Sequence, residues 1–219
     1  HSGRAEQEAV WWLDALRSAL GQVPEEVRMS AQAVGVSGQQ HGFVPVGADG
    51  QVLAPVKLWC DTSTQAEVDE ITAACGGRDR CIEYAGNPVL AGYTASKIRW
   101  FGKQHPSRYR EMAHIMLPHD FLNFVLSGVA AMEFGDASGT GLLDVRARQW
   151  SPRMLRAVDA ERDLSACLPP LLQADRGLGK ISETAAHRFG WPAGIPLAPG
   201  GGDNVMVAIG TGNVTPGKL

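Results

Sequence analysis

An aspartate set behind three glycines is the part of this sequence best suited to chemistry. In Gly200-Gly201-Gly202-Asp203-Asn204 the glycines permit backbone conformations closed to other residues and let another group approach the main chain. The apolar run Ile195-Pro196-Leu197-Ala198 reads as a strand ending at Pro199, and Val205-Met206-Val207-Ala208 as a helix that follows. A carboxylate in the first turn of a helix lies at the favourable end of its dipole, worth roughly 0.3–1 kcal/mol toward the ionised form. A fixed, ionised carboxylate is what a proton acceptor requires. Asp and Asn are also favoured helix caps, the commoner use of such a pair. One side chain can serve both ends, and the stretch alone leaves them open.

Two further polar clusters follow apolar runs: Gln39-Gln40-His41-Gly42 after the run over 31–36, and Trp59-Cys60-Asp61 after the run from Val56. Ligands of open α/β sheets gather beyond the carboxyl ends of strands, so clusters in that position mean more than single residues. A neutral histidine can bond a hydroxyl, an exposed tryptophan can cover the apolar face of a sugar, and a carboxylate can take a proton. Each also has an ordinary use: His41 as a loop or core histidine, Trp59 as core, and Asp61 as a turn or cap residue. Asp136, in Gly135-Asp136-Ala137-Ser138, reads as an Asx-type turn residue.

Other chemistries lack their residues. Gly35-Val36-Ser37-Gly38-Gln39 misses the nucleophile elbow, whose second glycine falls two residues after the serine. No HExxH is present, and Gly217-Lys218 lacks both the upstream glycine and the following Ser or Thr of a P-loop. The triple glycine does not fit the dinucleotide fingerprint. Cys60, Cys75, Cys81 and Cys167 form no CxxC pair and have no histidine at zinc spacing. Reduced thiols in a cytoplasmic protein are expected.

The elements that must position these clusters alternate. Apolar spacing over 6–20 predicts an amphipathic helix ended by Gly21. The segments 43–46 and 51–53 flank Ala48-Asp49-Gly50, a hairpin signal. Thr64-Gln65-Ala66-Glu67 matches a capping box opening a helix to about residue 74. Helices are predicted over 94–104, stopped before Pro106, over 120–126, after Ser151-Pro152, and over 184–189. A brief strand is expected at 115–117, and Gly135-Asp136-Ala137-Ser138-Gly139-Thr140 is read as a polar loop. Strands alternating with helices argue an α/β fold.

The 219 residues, 44% hydrophobic and 20% charged, are enough to bury a substantial core. A formal net charge of -3 gives no electrostatic footprint for nucleic acid or an anionic membrane. No apolar run approaches the ~18–20 residues that span a bilayer, and no signal peptide opens the chain. Starting at His1 and stopping at Gly217-Lys218-Leu219, it reads as an excerpt of a longer protein.

Four stretches in order carry a resemblance: Ser37-Gly38-Gln39-Gln40-His41-Gly42, Leu58-Trp59-Cys60-Asp61, Phe134-Gly135-Asp136-Ala137-Ser138-Gly139-Thr140 and Gly200-Gly201-Gly202-Asp203-Asn204. Together they resemble the N-terminal, sugar-binding domain of the FGGY carbohydrate kinases, closest to the xylulokinase branch. Each is weakly specific alone; the ordered set spans essentially the whole chain. The resemblance implies a ribonuclease H-like, actin-type ATPase fold, with residues 1–219 as an incomplete N-terminal domain. It implies ATP-dependent phosphorylation of a ketose, D-xylulose to D-xylulose 5-phosphate, with ATP and sugar as partners and a homodimer left open. Asp203 matches the general base, Asn204 its sugar-contacting neighbour, and Gln40 and His41 the sugar-contacting pair. Trp59 and Asp61 match the segment bordering the pocket. Magnesium would bridge the ATP phosphates, with Asp203 the candidate metal ligand.

The chain departs from the pattern in two places. Gln40 stands where such kinases often have Met, and Cys60-Asp61-Thr62-Ser63 where an Asn-Asp-Gly-Arg type sequence often follows the tryptophan. Both bear on sugar identity more than on reaction class, and leave another pentulose or a polyol open as substrate. The family's Asp-x-Gly-Thr phosphate loop has no match here, and its nucleotide domain is expected beyond Leu219. The segment alone is therefore expected to be inactive. A catalytically silent sugar-binding or regulatory relative is the alternative reading.

Overall fold

The computed structural model describes residues 3–173 and 175–217; His1, Ser2, Ala174, Lys218 and Leu219, including both ends of the expected 1–219 unit, lie outside the described residues. Its centre is an antiparallel sheet. Val44–Gly47 pairs with Met112–Met116, turns through Gly50 (φ 79°), and returns so that Val46 bridges Val52 and Phe43 bridges Lys57. Val56–Lys57 then pairs with Glu6–Gln7.

Strand side chains alternate between faces, and the alternation divides the core. Val44, Val46, Val56 and Met116 join Leu13, Phe121, Leu126, Ala185 and Phe189 on one side. Those partners come from the helices Ala9–Gly21, Pro118–Ser127 and Glu183–Phe189. Phe43, Met112 and Ile115 join Ile71, Ile98, Phe101 and Met154 on the other, from the helices Gln65–Cys75, Thr94–Gln104 and Pro152–Val158. Each large aliphatic side chain so buried contributes about 1.5–3 kcal/mol. Helices on both faces of a sheet make the expected α/β class.

A second, parallel pairing matters more for function. Val34 bridges Leu197, and Ser37–Gly38 pairs with Gly201–Gly202. The chain over 34–38 therefore runs beside 197–202 in the same direction, and both segments release their polar clusters at the same end.

Local signals failed where tertiary partners outcompeted them. Thr64 precedes the Gln65–Cys75 helix but makes no side-chain cap; its hydroxyl bonds the Ala91 carbonyl and Ser96. Glu67, the other half of the expected capping box, pairs with Lys103 instead. The expected polar loop at 135–140 contains the helix Phe134–Ser138, capped by the Glu133 carboxylate on the Gly135 and Asp136 amides. Pro106 stops one helix as expected and opens another, Pro106–Glu111, because proline suits the first helical turn. No helix among the described residues is long and apolar enough to cross a membrane.

Candidate active site

Asp203 begins the helix Asp203–Gly210 and is exposed. Its Oδ1 accepts from the Asn204 amide at 2.9 Å, which leaves Oδ2 for another partner. The bend before it is close-built. Gly200 has φ 70°, and a Cβ there would lie 2.0 Å from the Val36 carbonyl oxygen, so the two backbones touch where only glycine fits.

The parallel pairing sets Gln40 and His41 beside this bend. Asn204 Nδ2 donates to Gln40 Oε1 at 3.2 Å. A Cβ on Gly202 would strike the Gln40 side chain at 2.4–2.6 Å. His41 has a left-handed backbone, φ 61°, uncommon for a residue with a Cβ. Its carbonyl accepts from Lys97 Nζ at 2.8 Å and Thr94 Oγ1 at 3.2 Å. Its ring stacks on Tyr93, centroids 4.7 Å apart.

His41 Nδ1 lies 2.8 Å from the Gly139 carbonyl. A carbonyl only accepts, so Nδ1 bears the proton and Nε2 of the neutral ring is left as an acceptor. Burial lowers the His41 pKa, partly opposed by the bond to Gly139; among the weaker influences, Asp203 raises it by charge. The neutral ring thus shares a field with the Asp203 carboxylate.

Trp59 is 57% exposed, not the core residue its type alone suggests. Its carbonyl lies against Gly92, where a Cβ would approach to 2.8 Å, next to the Tyr93 that supports His41. No contact of Trp59 with His41 or Asp203 is seen among the described residues.

Asp61 requires correction as a pocket-bordering residue. It is fully buried, and its oxygens accept from Lys57 Nζ, the Ala5 amide, and the Ser63 amide and hydroxyl. Burial alone would raise its pKa; the Ser63, Ala5 and Lys57 donors outweigh that and lower it. With both oxygens engaged, it presents nothing to a ligand and instead anchors the Trp59 segment to the sheet.

Three residues with no assigned role support the site. Lys97 is fully buried, and its ammonium bonds both the His41 and Gly92 carbonyls; burial pushes its pKa down to about 7. Its spacing from Thr94 and Phe101, also buried, was the available signal, since the three share a helical face. His119 and Asp136 are buried and joined at 2.5 Å. Asp136 is therefore not the Asx-turn residue expected. Its carboxylate is aimed inward at a partner 17 residues away.

His119, Asp120 and Asp136 also form the single group with metal-ligand proximity among the described residues. Both imidazole nitrogens, however, face oxygen acceptors: Nδ1 the Asp136 carboxylate and Nε2 the Pro199 carbonyl at 3.1 Å. That is the arrangement of a protonated ring donating twice, not of a ligand with a lone pair to give. Asp203 is outside this group and offers one exposed carboxylate. That fits magnesium, which binds through one or two carboxylates together with substrate phosphates.

A cavity of about 840 Å³ lies elsewhere, lined by Arg99, Lys103, Tyr109, Asp159 and Arg162 among others. Arg99 and Lys103 are tied to Glu70 and Glu67, and Arg162 to backbone carbonyls. Of the residues expected at the site, Gln40, His41, Asp203 and Asn204 each keep a donor or acceptor that no protein group takes up.

Known proteins share this fold. Residues 1–210 match the family model described as "FGGY family of carbohydrate kinases, N-terminal domain". The xylulose kinase of Haemophilus influenzae is 40% identical over 223 residues, covering 99% of this chain and 45% of that protein. The xylulose kinase of Escherichia coli is 34% identical, covering 93% of this chain and 41% of that protein. Among solved structures, the xyloylose kinase from Brucella ovis superposes with a TM-score of 0.85 at 30% identity, over 99% of this chain and 44% of that one. The xylulose kinase from Rhodospirillum rubrum gives 0.91 at 24% identity, over 99% and 44%. The chain thus spans less than half the length of these relatives.

Proposed function

We propose that this chain, which belongs to the FGGY family of carbohydrate kinases, supplies the sugar-binding domain, residues 1–219, of an enzyme that phosphorylates a ketose. Its fold is the actin-like ATPase fold of the sugar kinases. The proposed reaction moves the terminal phosphoryl group of ATP to D-xylulose, giving D-xylulose 5-phosphate. The observation that carries the proposal is the parallel pairing of Ser37–Gly38 with Gly201–Gly202, which brings Gln40 and His41 beside Asp203 and Asn204.

Phosphoryl transfer has a loose transition state and asks mainly for alignment and charge stabilisation. Asp203 Oδ2 accepts the proton of the reacting hydroxyl, a contribution of typically ~10²–10⁴-fold. His41 Nε2 accepts from a second hydroxyl, and the amides of Gln40 and Asn204 bond others. The exposed Trp59 indole covers the apolar face of the sugar ring or chain. Magnesium, when bound with ATP, neutralises charge on the phosphates; Asp203 is the residue here that would hold it. Asp61 acts one step back, through the backbone of the Trp59 segment.

The free state of all four cysteines supports a cytoplasmic location, and a homodimer belongs to the same proposal, checked by sedimentation of the full-length protein. The testing experiment incubates full-length protein with ATP, magnesium and a panel of pentuloses, hexuloses and polyols, with the products identified by mass and position. D-xylulose phosphorylated at its terminal hydroxyl with the highest kcat/KM supports the reading. Preference for another sugar would replace the substrate, and no turnover with any would leave a sugar-binding relative.

A further inference from the structure

Beneath the glycine bend lies a buried polar unit that the proposed chemistry does not use directly. His119 Nε2 and Asn123 Nδ2 both donate to the Pro199 carbonyl, at 3.1 and 2.7 Å. Pro199 is the last residue before Gly200-Gly201-Gly202-Asp203. Two buried donors on one carbonyl fix the point from which the base-bearing turn departs.

The same unit reaches the other wall. His119 packs against the strand that leads to Gln40 and His41, since a Cβ on Gly38 would lie 2.8 Å from the His119 Cβ. Asp136, which holds His119 Nδ1, belongs to the helix Phe134–Ser138. The Gly139 carbonyl just past that helix holds the ring of His41. One short segment therefore grips the sugar-contacting histidine directly and the base-bearing bend through His119.

We propose that His119, held by Asp136, is a positioning residue that fixes the Pro199 carbonyl and so sets where Asp203 stands relative to His41. The inference rests on the sugar-kinase reading for what Asp203 does, but not for the mechanical link. The charged groups facing His119 are Asp120 on its own helix and Asp136 and Glu133 from the neighbouring segment; the Ser37–Gly38 side contributes no ionisable group. Burial alone would lower the His119 pKa; Asp120 and Asp136 overcome it and raise it to about 9. The ring therefore keeps both donors through neutral pH.

The test uses full-length protein carrying His119→Leu, His119→Lys or Asp136→Asn, with kcat, KM for the sugar and the thermal midpoint measured together. His119→Leu should lower kcat about 10- to 100-fold, the scale of an ångström-level misplacement, with KM changed much less. His119→Lys, a cation that can still donate to the Pro199 carbonyl, should recover most of it, and Asp136→Asn should fall between. Parental kcat in His119→Leu overturns the proposal. So does a loss of kcat that follows the thermal midpoint and is not recovered by lysine.

A second arm needs no turnover: amide hydrogen exchange of residues 200–203 in the same full-length variants. Exchange there about tenfold faster in His119→Leu than in the parent, with the strands over 44–47 and 112–116 still protected, supports positioning. Unchanged protection of the bend overturns it. Should the parent phosphorylate no sugar, the functional reading fails while this arm still decides the inference.

Discussion

Asn204 reaches across 164 positions of sequence to donate its amide to Gln40 at 3.2 Å. The bond joins the turn that bears the proposed base to the turn that bears the proposed sugar contacts. It spans the parallel pairing of Ser37–Gly38 with Gly201–Gly202, so the two walls are tied through both backbone and side chains.

Removing either partner should cost sugar affinity, and removing both should cost less than the sum. A single hydrogen bond contributes about 0.5–1.5 kcal/mol net, so Gln40→Ala and Asn204→Ala should each weaken sugar binding by roughly 2- to 13-fold. The double variant should show a coupling energy of at least about 0.5 kcal/mol. Calorimetric titration of full-length protein with sugar measures it; strict additivity would mean the two amides act separately.

His41 gives a pH dependence of known sign. Burial depresses its folded pKa below the ordinary 6.5, so the neutral ring persists somewhat below that value. The unfolded chain binds the proton first as pH falls, so this group's contribution to stability is present above about 6.5 and lost as pH drops through the folded value. Sugar affinity should therefore be level from pH 8 to 6.5 and fall below, whereas His41→Gln should be flat across the range. A parental profile that instead rises on protonation contradicts the neutral-acceptor role.

Asp61→Asn separates anchoring from binding. The carboxylate is buried against Lys57, and breaking such a pair costs roughly 3–5 kcal/mol. Lys57 also pairs with Glu6 at 3.0 Å, which places the loss at the lower end, about 3 kcal/mol. The lowered carboxylate pKa means this stability is present above the unfolded value and lost as pH falls through the folded one. Denaturant unfolding should show the loss, while KM for the sugar in the folded protein changes little. A large rise in KM with unchanged stability would restore Asp61 to the pocket.

What the sequence made legible divides along one line. Asp203, His41 and Gln40 follow apolar runs with glycines beside them, a pattern set by local backbone needs, and they lie together at one end of two parallel segments. Asp136 was misread because its partner is set by the fold, whereas Asp61 is claimed by neighbours in the chain, accepting from the Ser63 amide in the turn role its type allows. Lys57 reaches Asp61 across the turn that the Asp61 amide closes on the Leu58 carbonyl, and His119 is 17 residues from Asp136. Thr64 and Glu67 form a capping-box pattern, yet Ser96 and Lys103 on another helix claim them. The helix at 134–138 was hidden because Gly-Asp-Ala-Ser is good turn chemistry, and only the Glu133 cap reveals it. The α/β class was readable from alternation; the inward-facing polar network was not.

The central claim is that Asp203 takes the proton of the reacting hydroxyl. Its most direct test is the steady-state kinetics of full-length Asp203→Asn, which keeps the size and the oxygen that accepts from the Asn204 amide but cannot act as a base. Loss of about 10²–10⁴-fold in kcat, with KM for the sugar within a few-fold of the parent, is the predicted result. A kcat close to that of the parent would contradict it.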